Sequence, residues 1–196
     1  MKYLVFAVIV LFNFHTRLTG QSYFYVDSME RDFAPDTVRP DSARYFKIVM
    51  TGKPKGVCRS YDLPLRLNYY KGIDTLKAIE NLLSLEGDTR ICVLEIAKYN
   101  SRSSHYWNKP NKNYSIQLEA LFMINQICIP DPFGYSPIPA LLDTDTGMTG
   151  TIDEEAIKKA FKAYKNWYEL VKNSSLDQVL SRRIMPLDGS GVKWFR

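Results

Sequence analysis

The acidic residues best spaced to do chemistry lie in segment 143–155, which has the sequence DTDTGMTGTIDEE. Oxygen ligands that alternate along a tight turn, closed by a glutamate on the next helix, are typical of a calcium loop. The spacing does not fit that loop, because counting from Asp143 puts Glu154 at position 12 but Met148 where glycine is needed. Counting from Asp145 leaves no acid at position 12. We therefore interpret the segment as a polar loop before a helix. Its acids are only weak metal candidates, and we predict no cofactor.

A pair of carboxylates could instead make the chain a cell-envelope hydrolase, which needs two acids held about 5 to 9 Å apart in a cleft. Glu119 is the most suggestive acid, because it interrupts the apolar segment 114–129. The simpler interpretation places Glu119 on a narrow solvent-facing strip, or beside a lysine or arginine. The hydrolase, using Glu119 or the acids Asp143, Asp145 and Glu154, is therefore the alternative rather than the favoured function.

Histidine and cysteine chemistry has few residues to draw on. If His15 is lost with an N-terminal leader, His105 is the only histidine of the mature chain, and a zinc site would need further N or S ligands. Cys58 and His105 could form a thiol and its base, but no local motif supports the pairing. Cys92 and Cys128 lie in apolar segments, where buried thiols are favoured over a disulfide between them.

Aromatic residues in loop-like segments are the candidate binding residues. Exposed tyrosine and tryptophan side chains anchor protein partners or stack against sugar rings, although they can equally cover a core. We therefore expect a binding protein without catalysis of its own, which engages another protein through these residues and the polar loop. A carbohydrate-binding module is a further alternative. The candidate residues are Tyr69, Tyr70, His105, Tyr106, Trp107, Phe133 and Tyr135.

The N-terminus has the layout of a secretory signal peptide, with Lys2, an apolar run over 3–14 and a polar stretch that ends at Gly20. An uncleaved anchor or a buried N-terminal helix is the alternative. Neither the apolar run nor any later segment approaches the roughly 20 residues of a comfortable span, so we expect no membrane span in the mature chain. The predicted location is periplasmic or extracellular.

Cleavage after Gly20 removes Lys2 and Arg17 and no acid, which lowers the formal net charge from +5 to +3. That excess is too small to indicate a nucleic-acid partner. A protein partner is expected and a glycan is possible. The predicted organisation is a signal peptide over 1–20, an extended arm over 21–40 and one domain over 41–196.

Helical periodicity dominates the domain. Thr151 and Glu154 form a capping-box pattern, while Asp74 and Ser175 are predicted N-caps. Strong helices begin near 74, 114 and 152, a spacing of about 40 residues that is typical of HEAT or armadillo helix pairs. We therefore predict an all-α fold, as an irregular helical bundle or a short stack of this kind, with the tail at Val192, Trp194 and Phe195 folded onto the core. The predicted helices span 41–51, 74–86, 88–100, 114–129, 138–142, 151–172 and 176–184.

Overall fold

A computed structural model of the chain describes residues 22–29, 45–52, 70–94, 96, 113–128, 138–150 and 153–195. Within these ranges helices and strands share one hydrophobic core, so the fold is mixed α/β. The prediction of an all-α bundle or a HEAT/armadillo-like stack is therefore wrong. The described helices are α1 (Thr75–Leu83), α2 (Ile116–Cys128), α3 (Glu154–Asn173) and α4 (Leu176–Ser181), and the described strands are β1 (Phe24–Met29), β2 (Tyr45–Met50), β3 (Leu141–Asp143), β4 (Thr149–Gly150) and β5 (Val192–Trp194).

Helix α2 is the centre of the core. It is apolar almost all round, and a helix with that pattern is normally buried. Leu118, Leu121 and Ile124 are fully buried, and α2 packs against α1, α3 and β2. The helix predicted over 114–129 is confirmed as α2.

Helix α3 packs one apolar face on the core, which includes Phe161 and Tyr164, and presents its lysine-rich face outward. Its N-cap is Asp153, whose carboxylate accepts hydrogen bonds from the backbone N–H groups of Glu155 at 3.1 Å and Ala156 at 3.2 Å. The capping box predicted from Thr151 is therefore wrong. An aspartate at this position satisfies the free N–H groups and also places its negative charge at the positive end of the helix dipole.

The caps of the two shorter helices agree with prediction. Asp74 caps α1 by accepting a hydrogen bond from the Lys77 N–H at 3.2 Å, and Ser175 caps α4 by accepting one from Gln178 N–H at 3.2 Å. No helix in the described part of the chain is long and apolar enough to cross a membrane.

The helix predicted over 41–51 is wrong where the structure describes it, because 45–50 forms β2. This strand pairs antiparallel with β1, from Phe24 opposite Met50 to Met29 opposite Tyr45. Strand β1 lies inside the segment predicted as an extended arm. Both faces of β2 are largely buried, so its apolar run is nearly continuous and periodicity cannot distinguish it from a helix.

The helix predicted over 88–100 is wrong over 88–94. Here the backbone runs along β2, where Phe46 N–H donates to Ile91 at 2.9 Å and Val93 N–H donates to Phe46 at 2.7 Å. A parallel bridge therefore joins Phe46 and Cys92. The backbone N–H and C=O groups of β2 that β1 does not use form hydrogen bonds with this segment. The segment is therefore extended, although the spacing of its apolar residues predicts a helix.

A small antiparallel sheet replaces the short helix predicted over 138–142. Strand β3 lies between β4 and β5, with Leu141 opposite Trp194. Strand β5 belongs to the C-terminal tail, and its Trp194 packs edge-to-face on Phe122 of α2 at 5.4 Å between ring centres. The prediction that the tail folds back onto the core is confirmed.

Candidate functional site

Asp143 is a structural anchor of the β3–β4 hairpin. Its Oδ1 accepts hydrogen bonds from the N–H groups of Asp145 at 2.9 Å and Thr146 at 3.0 Å. Its Oδ2 accepts one from Lys159 Nζ at 2.8 Å. The hydrogen bond from the Lys159 ammonium, together with those from the turn, lowers the pKa of Asp143 to about 2. This carboxyl is therefore ionised at any ordinary pH and cannot act as a general acid.

The weak metal candidates do not assemble around a common point. Lys159 Nζ lies 2.8 Å from Asp143 and 3.6 Å from Asp145, where it supplies the positive charge that a cation would supply. The Glu154 carboxylate instead accepts hydrogen bonds from Gln117 Nε2 at 3.0 and 3.3 Å. Gln117 also accepts one from the N–H of Gly87, so Glu154 belongs to a link between α2, α3 and the end of α1. Among the described residues, no group of three His, Cys, Asp or Glu side chains could hold a metal ion.

Glu119 does not lie on a solvent-facing strip, because only 6% of the residue is exposed. Ser115 and Gln126, polar residues of the same segment, are buried as well. The strip is buried because β2, α1 and α3 together cover α2. The placement of Glu119 in solvent is therefore wrong, and its small exposed surface places its carboxylate poorly for contact with a large substrate.

Cys92 and Cys128 are buried thiols that form no disulfide, as predicted. Burial raises the pKa of Cys92, the nearby Glu119 carboxylate raises it further, and the Lys47 ammonium acts in the opposite direction. Burial likewise raises the pKa of Cys128. A thiol that stays protonated is a poor nucleophile, so neither residue is suited to covalent catalysis. The proximity of Lys47 to Cys92 does not follow from the sequence, because segment 41–51 has the apolar spacing of a helix and its pairing with residue 92 is not apparent.

Tyr70 is the one predicted binding aromatic that lies within the described residues. Its ring packs edge-to-face against Phe24 with 6.5 Å between ring centres, and its hydroxyl donates to Gln126 Oε1 at 3.4 Å. Tyr70 therefore covers the core between β1 and α2. The other six residues lie outside the described ranges: Tyr69, His105, Tyr106, Trp107, Phe133 and Tyr135.

A groove of about 370 Å³ runs between α1 and α3. Two contacts show that the helices are antiparallel. Lys165 of α3 forms an ion pair with Glu86, which follows the end of α1. Tyr168, which comes later in α3, lies close enough to Asp74 at the start of α1 for the Asp74 charge to raise its pKa. We name this surface the α1–α3 groove. It is lined by Glu80, Leu83, Ser84, Lys165, Asn166, Tyr168 and Glu169.

The floor of the α1–α3 groove is apolar and its rim is charged. Leu83 and Tyr168 are both buried residues that supply apolar surface at the floor. Leu76 precedes Glu80 by four residues and Leu83 by seven, so the three side chains lie on the same face of α1. The Leu76 residue is 37% exposed. The apolar surface therefore extends past the groove toward the start of α1.

The acidic residues at the rim differ in their ion pairs. Lys165 pairs with Glu86, and Lys172 pairs with Glu169 at 3.3 Å. No base in the described part of the chain forms an ion pair with Glu80. Burial raises the pKa of Tyr168, and the carboxylates of Glu80, Glu169 and Asp74 raise it further, which indicates a negative local potential.

The sequence alone does not indicate the α1–α3 groove. The lysine-rich face of α3 has the pattern of a solvated surface, and nothing in either helix shows which partner helix lies beside it. The periodicity of α1 does place Leu76, Glu80 and Leu83 on one face, which is the only signal of the groove that the sequence contains. Comparisons of the chain with protein-family models, with curated proteins and with solved structures give no match.

Proposed function

We propose that this chain is an exported, non-catalytic binding protein that holds a protein partner in the α1–α3 groove. The observation that carries the proposal is the groove itself, in which an apolar floor is bordered by a charged rim on two helices. Buried contacts surrounded by a polar rim are the usual anatomy of a protein interface. A groove between two helices suits an extended or helical segment of a partner that inserts one or two side chains.

The positions of the acids favour binding over hydrolysis. Asp143 is held by Lys159 and the hairpin backbone, and Glu154 is held by Gln117. Glu119 is buried within the core. Three of the four carboxylates that the alternative hydrolase would use are therefore held within the fold, and the exposed Asp145 lies 3.6 Å from Lys159 Nζ. The predicted loop aromatics remain a second candidate contact surface on the same protein.

Retention of a partner tests this function. The purified chain is immobilised and exposed to envelope and culture-supernatant proteins of the source cells, in parallel with Glu80→Lys and Glu155→Lys variants. Both replaced side chains are exposed and lie on helices, and both substitutions change the charge equally. We expect one protein to be retained in stoichiometric amount by the wild type and by Glu155→Lys, and to be lost with Glu80→Lys.

Three other outcomes would argue against the proposal. Equal retention by Glu80→Lys would show that the partner does not use the α1–α3 groove. If the wild-type chain retains no protein but binds an envelope glycan, its function is carbohydrate binding and not protein binding. Release of soluble fragments from purified envelope would instead support the hydrolase.

A further inference from the structure

A cation already lies over the ring of Tyr168, one of the residues that line the α1–α3 groove. Lys172 Nζ lies 5.3 Å from the ring centre and 3.3 Å from Glu169 Oε1. An ammonium or guanidinium group within about 6 Å of an aromatic centre is attracted by the negative face of the ring. Tyr168 and Glu169, which both line the groove, therefore already hold a positive charge that the chain itself supplies.

Lys172 is held there weakly enough to be displaced. Its side chain is 43% exposed, and its pair with Glu169 is an i,i+3 contact on the helix surface. Exposed pairs of this kind contribute little to stability, because water screens them and a long side chain loses entropy when it is fixed. Lys172 can therefore swing into solvent when a second cation arrives.

A cation that enters the groove can contact two carboxylates, whereas Lys172 pairs with one of them. Displacing Lys172 leaves both Glu169 and Glu80 facing the groove, while Lys165 stays paired with Glu86. An anion would meet these two carboxylates and be repelled, and a purely apolar side chain would bury Glu80 without a partner. Charge complementarity therefore selects a basic group.

We propose that the α1–α3 groove recognises a lysine or arginine side chain of its partner, whose cation takes the position of Lys172 over Tyr168. This inference rests on the proposed function and adds the chemistry of the bound group. Arginine suits the position better, because its planar guanidinium stacks on an aromatic face while it donates to two carboxylates. The aliphatic part of the same side chain packs on Leu83 at the floor.

Two capped peptides test the inference. The first has the sequence Gly-Leu-Arg-Leu-Arg-Gly, and the second has citrulline in place of each arginine, which removes the charge and keeps the shape. Titration of the isotope-labelled chain, followed by NMR, gives each dissociation constant and shows whether the Tyr168 amide shifts. We expect the arginine peptide to bind about tenfold or more tightly than the citrulline peptide.

Variants of the chain supply the matched comparison. Lys172→Met removes the competing cation and should tighten binding of the arginine peptide about two- to fivefold, as expected for the loss of an exposed cation–π competitor. Lys158→Met is the control, because Lys158 forms the same kind of i,i+3 pair with Glu155 away from the groove. Glu80→Gln should weaken binding, whereas Glu155→Gln should not.

Equal binding of the two peptides, or equal effects of Lys172→Met and Lys158→Met, would overturn the inference. So would the absence of any shift at Tyr168 with millimolar arginine peptide in both the wild type and Lys172→Met. The proposed function fails separately, when no partner protein is retained. A partner that is retained through the groove while the arginine and citrulline peptides bind alike would leave the function standing and refute the basic side chain.

Discussion

The indole N–H of Trp194 donates a hydrogen bond to the hydroxyl of Tyr164, at 2.9 Å, in the interior of the protein. Tyr164 belongs to α3 and is fully buried, whereas Trp194 lies 30 residues later in β5. This contact joins the small sheet to the long helix, and the helix in turn forms one wall of the α1–α3 groove. Its loss should therefore affect the whole fold.

Tyr164→Phe should lower the free energy of unfolding by about 1–3 kcal/mol, because the buried indole N–H is left without an acceptor. Urea denaturation gives this difference. Tyr25→Phe is the control, since Tyr25 is 39% exposed and the change should stay within about 0.5 kcal/mol. A Tyr164→Phe variant as stable as the wild type would show that the hydrogen bond contributes nothing.

Asp143→Asn should destabilise the folded chain at neutral pH and lose that effect in acid. The pKa of Asp143 falls to about 2 on folding, chiefly through the hydrogen bond from Lys159, from about 3.9 in an unfolded chain. A carboxyl whose pKa is lower in the folded chain than in the unfolded chain stabilises the fold. This stabilisation is complete when the pH is above the unfolded pKa, and it is lost as the pH falls through the folded pKa. The difference between wild type and Asp143→Asn should therefore be constant above about pH 5 and shrink between about pH 4 and pH 2.

Urea unfolding at a series of pH values measures this difference. Lys159→Met should reproduce the pattern, because it removes the ammonium that lowers the pKa. A difference that does not change with pH across the acid range would contradict the role given to this pair.

Cys92 and Cys128 should resist alkylation in the folded chain. Both thiols are buried and burial raises the pKa of each, so the reactive thiolate is neither exposed nor populated. Iodoacetamide labelling followed by peptide mapping should leave both unmodified until urea is added, and then modify both without a reductant. Labelling in the folded state, or a linked peptide containing both residues, would be inconsistent with this account.

The proposed export predicts a defined N-terminus. The secreted chain should begin at Gln21, because the basic start, the apolar run over 3–14 and Gly20 form a signal-peptide layout. Intact-mass measurement of the secreted protein checks this, and Val8→Lys should keep the full-length chain inside the cell by interrupting the apolar run. Secretion of an uncleaved chain, or unchanged export of Val8→Lys, would count against the signal peptide.

The four described helices could be predicted from the sequence because the signals that define them are local. An apolar stripe with a period near 3.6 residues marks α1 and α3, and an apolar segment of sufficient length marks α2. Of the three predicted N-caps only that of α3 is misplaced, by two residues, because Thr151 and Asp153 both precede its first turn. A short polar side chain at either position could satisfy the free N–H groups.

The strands could not be predicted, because their definition depends on distant partners. Segment 45–50 has the sequence YFKIVM, which fits a helix as well as a buried strand until β1 and residue 92 pair with it. The same holds for Leu141, whose partners are Gly150 and Trp194. The α1–α3 groove was missed for a related reason, because it exists only where two helices pack together.

A photoreactive side chain placed in the groove tests the central claim most directly. A benzophenone amino acid at Asn166, which lines the α1–α3 groove, is compared with the same group at Thr146, which is exposed in the β3–β4 hairpin. The proposed function predicts that the retained partner crosslinks from position 166 and not from position 146, through a peptide that contains lysine or arginine. Crosslinking from position 146 alone would contradict binding in the groove. It would show instead that the partner contacts the polar loop before α3.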